Sequence, residues 1–539
     1  MQHDAFSLRR WRATQALLAP EVRSMAMLGF VNAGHLLVMH AKCLEHADTD
    51  NPLAAQLHLR VAMDCLLCAL EEDILDPDAP GLALGLDAHM GILPPGVRGL
   101  LERLRDFASK STDMAGTADG RPLSARDLAV QTVLQGQYSL LLDLAKAVQA
   151  EQGLEPAARR LKADALFHSG DLERAEALYR SLDKEGLPLA GQRHAQTLLC
   201  LGRRDEAAAM LGRIVHAAPW RTNMVLKLHD LLRGLDEYAA QGPTDMQRTS
   251  VLLYSWNHAP DLDRTLQSLA ASTAPALAAM DVFVLNNGST DDTAAVLERW
   301  KDSGAFPNFE VVTLPINIGA PAARNWLLHM NAVQHNGCIA FLDDDIVLAP
   351  GWLEALFRAR EAAPEAGAWG AKVVEMDRPH VIQQADLNLF WPPVNNEFVG
   401  FSDLQAGVPD TGQFDYLRPA ASVTGCCHLF ERKTFEAVGD FDIRFSPSQY
   451  DDFDHSMRMI RAGLRSVYTG HVAVGHVRAA GHGASISRAA LYNVFGNVKK
   501  LEGKHDPEAV QECIRTMDAV LLDDYQAKLA VIREALRDD

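Results

Sequence analysis

The hydrophobic period of this chain changes at Gly242-Pro243-Thr244, and that change sets what each half can fold into. Before it, apolar residues recur three and four apart through Ala-, Leu-, Arg- and Glu-rich sequence, the pattern of packed helices. After it, short apolar runs alternate with helical stretches. VLLYSW (251–256), VFVLN (282–286), EVVTL (310–314) and CIAFL (338–342) read as strands, with helices over 262–271, 290–300 and 320–334 between them. Such alternation predicts parallel pairing through right-handed crossovers and an α/β sheet with helices on both faces. Ligands of such sheets bind at the carboxyl ends of the strands, so the polar residues there are the ones to examine.

The helical half carries a weak repeat. Gly170, Gly202 and Gly234 lie 32 residues apart, Leu166 and Leu198 precede their glycines by four, and Ala163 and Ala195 precede theirs by seven. Ala175, Ala207 and Ala239 follow by five, with Tyr179 and Leu211 further on and Pro219 closing the second unit. The spacing resembles the tetratricopeptide repeat, in which paired helices approach over small residues; a generic helical hairpin array fits it as well. Residues 110–122, rich in Gly, Ser, Thr and Asp, read as a loop. The expected divisions are a helical region at 1–120, repeats at 121–243, an α/β domain at 244–484 and a helical packing tail at 485–539.

Composition excludes several classes. Asp+Glu outnumber Lys+Arg by 70 to 51, a net charge of −19, which would repel a phosphate backbone, so no nucleic-acid partner is expected. No run reaches the ~20 apolar residues of a membrane span; the longest candidate, 25–39, is broken by Asn32, Gly34 and His35. The N-terminus lacks a secretory pattern. The eight scattered cysteines suit a reducing, cytoplasmic setting, and the isolated pair Cys65 and Cys68 reads as helix core.

Four clusters carry chemistry. Asp343-Asp344-Asp345 follow directly on an apolar strand. Like charges crowded there need neutralising, and a hard cation held by oxygen, Mg²⁺ or Mn²⁺, suits them. A helix cap needs only one of the three. Asn286-Asn287-Gly288-Ser289-Thr290-Asp291-Asp292 forms a turn from which Ser289 or Thr290 would cap the next helix, with amides able to bond a base or ribose. In Asn317-Ile318-Gly319-Ala320-Pro321-Ala322-Ala323-Arg324-Asn325, Arg324 lies one turn into a helix, in reach of a phosphate. Tyr450-Asp451-Asp452-Phe453-Asp454 opens another helix; its acids suit the dipole or a general base. Downstream, His471 and His476 lie on a late strand, where one would complete a metal shell.

In this order, over about residues 248–480, the clusters resemble a family 2 glycosyltransferase of the GT-A fold, a Rossmann-like nucleotide-diphospho-sugar transferase domain. NNGSTDDT is similar to the family's NGSTD turn, NIGAPAARN to its N-x-G-x-x-x-A-R-N segment, and FLDDDIVLAPGWLEAL to its DxD strand end. VTGCCHLFERKTFEAVGDFDIRF is similar to the acceptor-side segment, whose GxFD turn falls at Gly439, Phe441 and Asp442. YDDFDHSMRMIRAGLRSVYTGHVAVGHV is similar to the ED helix and the strand ending in histidine. Asn286 replaces the usual aspartate and Asp451 the usual glutamate.

The resemblance implies metal-dependent, inverting, non-processive transfer of a hexosyl or deoxyhexosyl unit from a nucleoside diphosphate sugar to an acceptor hydroxyl. Glycan, lipid-linked and protein acceptors all fit. It implies Asp452, with Asp451 as alternative, for the base. Donor contacts fall to Ser255, Trp256, Asn257, Asn286, Asn287, Gly288, Arg324, Asp343 and Asp344, and Mn²⁺ or Mg²⁺ to Asp345, Asp343 and His476. The repeats would bind a protein partner. Two rival readings are a nucleotidyltransferase on the same sheet and a non-catalytic helical scaffold.

Overall fold

The computed structural model describes residues 6–110, 117–118, 121–237, 242–243, 245–390, 400–402, 404–477 and 488–536. They form two compact units. The first comprises Met1–Leu232 with Pro409–Gln413 and Tyr525–Asp539; the second comprises Arg233–Val408 and Phe414–Asp524.

Among its described residues up to 232, the first unit is helical, as the three-and-four spacing predicts, apart from a two-residue strand pair, Thr117–Ala118 with Arg121–Pro122. Most of the loop expected at 110–122 lies outside the described residues. Helices Glu155–His168 and Leu172–Lys184 turn at Gly170; Gly191–Cys200 and Arg204–Ala217 turn at Gly202. The turns are alike. The Asp171 amide donates to Leu166 O and the Arg203 amide to Leu198 O, both at 2.9 Å, satisfying carbonyls that a helix end leaves open. Ala163, Ala175, Ala195 and Ala207 are fully buried, so the alanine spacing marks close helix approach. Ala239 of the third unit lies outside the described residues.

Helix Pro52–Glu72 is long and apolar enough to cross a membrane by length and composition, but 61% of its most apolar window is buried within the protein. The stretch 25–39 is instead divided between helices Pro20–Leu28 and Ala33–Ala47. Cys65 and Cys68 are buried, and burial pushes both thiols well up, as expected of core residues.

The second unit is built on a mixed sheet. Its first strands are β1 (Thr249–Ser255), β2 (Met280–Asn286), β3 (Phe309–Thr313) and β4 (Cys338–Leu342). They are parallel in the order β3-β2-β1-β4, within two residues of the runs read from sequence. The crossovers run through α1 (Ala259–Ala270), α2 (Thr293–Ser303) and α3 (Ala320–Leu328). Alternate residues face opposite layers. Val251 and Leu253 pack with Leu262 and Leu266 of α1, whereas Leu252 packs with Ala323 and Leu327 of α3.

The rest of the sheet departs from an all-parallel expectation. After β5 (Ile346–Val347) and α4 (Trp352–Ala362) come β6 (Ala368–Glu375), β7 (Arg378–Gln384), β8 (Leu417–Ala420) and β9 (Cys427–Glu431). Strand β9 lies antiparallel between β4 and the first half of β6, and β7 pairs antiparallel with the second half of β6 along the same edge. Following α5 (Arg432–Val438) and α6 (Asp451–Arg461), β10 (Ser466–His476) pairs parallel with β6 and antiparallel with β5 and β8. Helices α7 (Arg488–Lys504) and α8 (Pro507–Ala535) end the chain. Leu501, Val510, Cys513 and Met517 pack with Met457 and Ile460 of α6, the packing role expected of the tail.

This topology sends β1, β2 and β4 to one edge together. Ser255 pairs in register with Asn286, and Leu253 with Leu342, so the segments beginning at 255, 286 and 343 emerge side by side.

Candidate active site

Asp343 is the first residue beyond β4, and its amide donates to Cys426 O at 2.9 Å. Burial pushes its carboxyl up, Arg324 pulls it down, and the nearby Asp345 pushes it up again. Asp345 is buried, and its Oδ1 lies 3.2 Å from His476 Nε2 at the end of β10. One donor atom from each of Asp343, Asp345 and His476 lies within 4.8 Å of the others. Two carboxylates and an imidazole converging at a strand edge are a donor set for Mn²⁺ or Mg²⁺, so the residues fit the expected ion. Asp344 is nearly buried beside them, whereas His471 is not among these three.

Arg324, expected one turn into a helix within reach of a phosphate, lies one turn into α3 and is buried. Its Nη1 donates to Asp451 at 2.5 Å, and its Nη2 to Asp343 at 3.2 Å and to Gly425 O at 3.4 Å. The guanidinium lies 5.5 Å from the ring centres of both Tyr254 and Phe441. Burial opposes its charge, yet Tyr254 and the acids Asp451, Asp343 and Asp452 hold its pKa well above the ordinary value. Arg324 thus ties the end of β4 to the start of α6.

Asp451 and Asp452 open α6 behind Tyr450, whose φ of 70° is uncommon for a non-glycine residue. The loop before them is pinned by the buried Asn497 amide of α7, which lies 2.8 Å from Ser448 O and 3.0 Å from Gln449 O. Asp451 is almost wholly buried on Arg324. Asp452 is half-buried, and its two oxygens accept the amides of Gly425 at 3.2 Å and Phe453 at 2.9 Å. Burial, and then the Asp451 charge, push the Asp452 carboxyl up to about 6. Asp454 is held by Arg458, Lys504 and His505 and supports α6.

At the ends of β1 and β2, the amides expected to meet a nucleotide have their carbonyl oxygens engaged within the loops. Asn257 Oδ1 accepts the Thr290 amide at 2.7 Å, and Asn286 Oδ1 accepts the Ser289 amide at 3.0 Å. Asn287 Oδ1 accepts the Ile318 amide at 3.0 Å. Gly288 has φ +76°, and a Cβ there would stand 2.4 Å from Ile316 C, so no other residue fits. Two candidates remain open. Ser255 Oγ is buried with no hydrogen-bond partner among the described residues, and Trp256 is 47% exposed.

Three contributors escaped the sequence reading. Tyr254, whose hydroxyl is 3.4 Å from Asp343, sat unremarked beside Ser255. Gly425 lay inside the VTGCC segment, and Gln383, 2.8 Å from His476 Nδ1, lies on a strand without a motif.

Residues 250–439 match the family described as Glycosyl transferase family 2. They form a family 2 glycosyltransferase domain. Its mixed sheet is GT-A-like, and an all-helical region precedes it. The chain is 32% identical over 241 residues to the O-antigen biosynthesis protein RfbC of Myxococcus xanthus, covering 43% of this chain but only 18% of that protein. It is 28% identical over 250 residues to an N-acetylglucosaminyl-diphospho-decaprenol L-rhamnosyltransferase of Mycobacterium tuberculosis, covering 42% of this chain and 76% of that enzyme. Among solved structures, it is similar to GalNAc-T7 with UDP, GalNAc and Mn²⁺, at 15% identity, 48% coverage of each chain and a TM-score of 0.37. The mannosyltransferase PcManGT of Pyrobaculum calidifontis is 18% identical, with 60% of this chain and 87% of that one covered and a TM-score of 0.35.

Proposed function

We propose that this protein transfers a hexosyl or deoxyhexosyl unit from a nucleoside diphosphate sugar to an acceptor hydroxyl, with inversion and one unit at a time. The observation that carries the reading is the pairing of two unlike acidic centres. Asp343 and Asp345 converge with His476, whereas Asp452 stands apart, half-buried, with its carboxyl raised to about 6. One centre suits a cation and the other suits proton transfer near neutral pH.

The donor diphosphate would lie at the edge formed by β1, β2 and β4, beside Ser255 Oγ and under the exposed Trp256 ring. Asp343, Asp345 and His476 would hold Mn²⁺ or Mg²⁺, and the bound ion supplies charge neutralisation for the leaving diphosphate. Asp452 takes the proton from the acceptor hydroxyl onto its carboxylate. The acceptor oxygen then bonds to the anomeric carbon as the bond to the diphosphate breaks, which inverts that carbon. Asp451 is committed to Arg324, which favours Asp452 as the base; such help contributes ~10²–10⁴-fold. Arg324, bonded to both, holds Asp343 and Asp451 in alignment.

The relatives named for O-antigen biosynthesis and for L-rhamnosyl transfer to a lipid diphosphate favour a surface-glycan precursor as acceptor and a deoxyhexose as donor. The helical repeats would hold a protein partner or a large acceptor, in a cytoplasmic enzyme. The test is a panel of nucleoside diphosphate sugars with Mn²⁺, with and without lipid-linked glycan acceptors. Release of nucleoside diphosphate, with an inverted product, supports the proposal. Release of pyrophosphate would make the protein a nucleotidyltransferase, and no turnover or metal-dependent nucleotide binding would leave a scaffold.

A further inference from the structure

His476 is held from both sides. Its Nε2 is directed at Asp345 Oδ1, 3.2 Å away, and its Nδ1 lies 2.8 Å from Gln383 Oε1. An amide oxygen only accepts, so the proton between them belongs to Nδ1. That leaves the Nε2 lone pair facing the carboxylates, the tautomer a metal needs from an imidazole.

The backbone explains how Gln383 reaches that position. Gly475 and His476 of β10 lie beside Val374 and Glu375 of β6, and β7 lies on the other side of β6. Along β6 the register steps from Val373↔Gln384 to Val374↔Ile382. One step on β6 therefore matches two on β7, and Gln383 is the extra residue of a β-bulge. A bulge re-aims a side chain that regular alternation would send elsewhere. The next residue, Gln384, accepts from the Thr424 hydroxyl, beside the Gly425 whose amide donates to Asp452. Gln383 is 7% exposed and has no part in the reaction as proposed above.

We propose that Gln383, aimed by this bulge, is a positioning residue that fixes His476 in its metal-binding tautomer and so sets the affinity of the site for a divalent cation. The proposal rests on the reading of Asp343, Asp345 and His476 as metal ligands. The experiment is titration of the full chain with Mn²⁺, following free Mn²⁺ by electron paramagnetic resonance, without donor or acceptor. Gln383→Leu, nearly isosteric but unable to accept, is expected to weaken Mn²⁺ binding about 10–100-fold. Gln383→Glu, which still accepts from Nδ1, is expected to stay near wild type. In a His476→Ala background, Gln383→Leu is expected to cost nothing further. Wild-type affinity in Gln383→Leu, equal weakening by Glu and Leu, or a full additional loss without His476 would each overturn the positioning role alone. Absence of Mn²⁺ binding by wild type would overturn the metal reading and this proposal with it. Melting temperatures of the variants identify any that fail to fold, and for those the Gln383→Glu comparison with wild type decides.

Discussion

Arg324 Nη1 donates to Asp451 across 2.5 Å, and the two side chains are only 5% and 3% exposed. A carboxylate so placed is not available to an acceptor hydroxyl. The same guanidinium touches Asp343, so one cation compensates acids on two sides of the site. Replacing it with Met would strand two largely buried carboxylates. Loss of one partner of a buried pair costs about 3–5 kcal/mol. Arg324→Met is therefore expected to lower the urea midpoint by that equivalent and to abolish turnover. Arg324→Lys keeps a charge but not the fork, and is expected to fall between.

The Asp452 carboxyl must be ionised to accept a proton. Its pKa is raised to about 6, so kcat/KM is expected to fall as pH drops through about 6, far above the usual aspartate range. The same shift has a stability consequence of opposite sense. Between the unfolded value near 4 and the folded value near 6, the native state binds more protons, so this group's contribution weakens as pH rises through that window. Asp452→Asn is expected to lose ~10²–10⁴-fold in turnover. It should keep donor binding and melt slightly higher than wild type at pH 7.5 in thermal scans.

The parallel half of the sheet was legible because β1, β2 and β4 are short apolar runs whose Leu, Val and Phe residues are buried on both faces. The antiparallel half was not. Strand β7, RPHVIQQ, has no clean alternation, and β9 is held by neighbours distant in sequence, so only tertiary context makes them strands. The acidic clusters were visible because three carboxylates after an apolar strand demand an explanation. Arg324 was found one turn into its helix, but that position says nothing of Asp451, 127 residues away, which pairs with it. Gln383 was invisible because its role depends on a register shift that no local pattern encodes.

Asp345→Ala removes a buried carboxylate from the donor set while leaving Arg324 and α6 untouched. Mn²⁺ binding is expected to fall by at least 10-fold, and chelation of wild type to reproduce the activity loss, reversed by added Mn²⁺. The circular dichroism spectrum should not change. Turnover in chelator equal to that in Mn²⁺ would refute the metal role directly.

Gly425 lets the two centres share a wall. A Cβ at this position would stand 3.0 Å from Asp452 Oδ2 and 3.3 Å from Arg324 Nη2. Both neighbours are side-chain atoms, so the fold accommodates Gly425→Ala by moving the carboxylate and the guanidinium a few tenths of an ångström. The Gly425 amide, which donates to Asp452 at 3.2 Å, would lengthen its bond. A misplacement of about 1 Å near reacting groups can cost about 10²-fold, and this smaller shift is expected to cost less. Gly425→Ala is expected to lower kcat about 10-fold with little change in Mn²⁺ affinity or melting temperature. The acid limb of its pH profile should move up as Asp452 loses the amide that favours its charge. An unchanged acid limb alongside a lowered kcat would show that the substitution acts through the acceptor instead of Asp452.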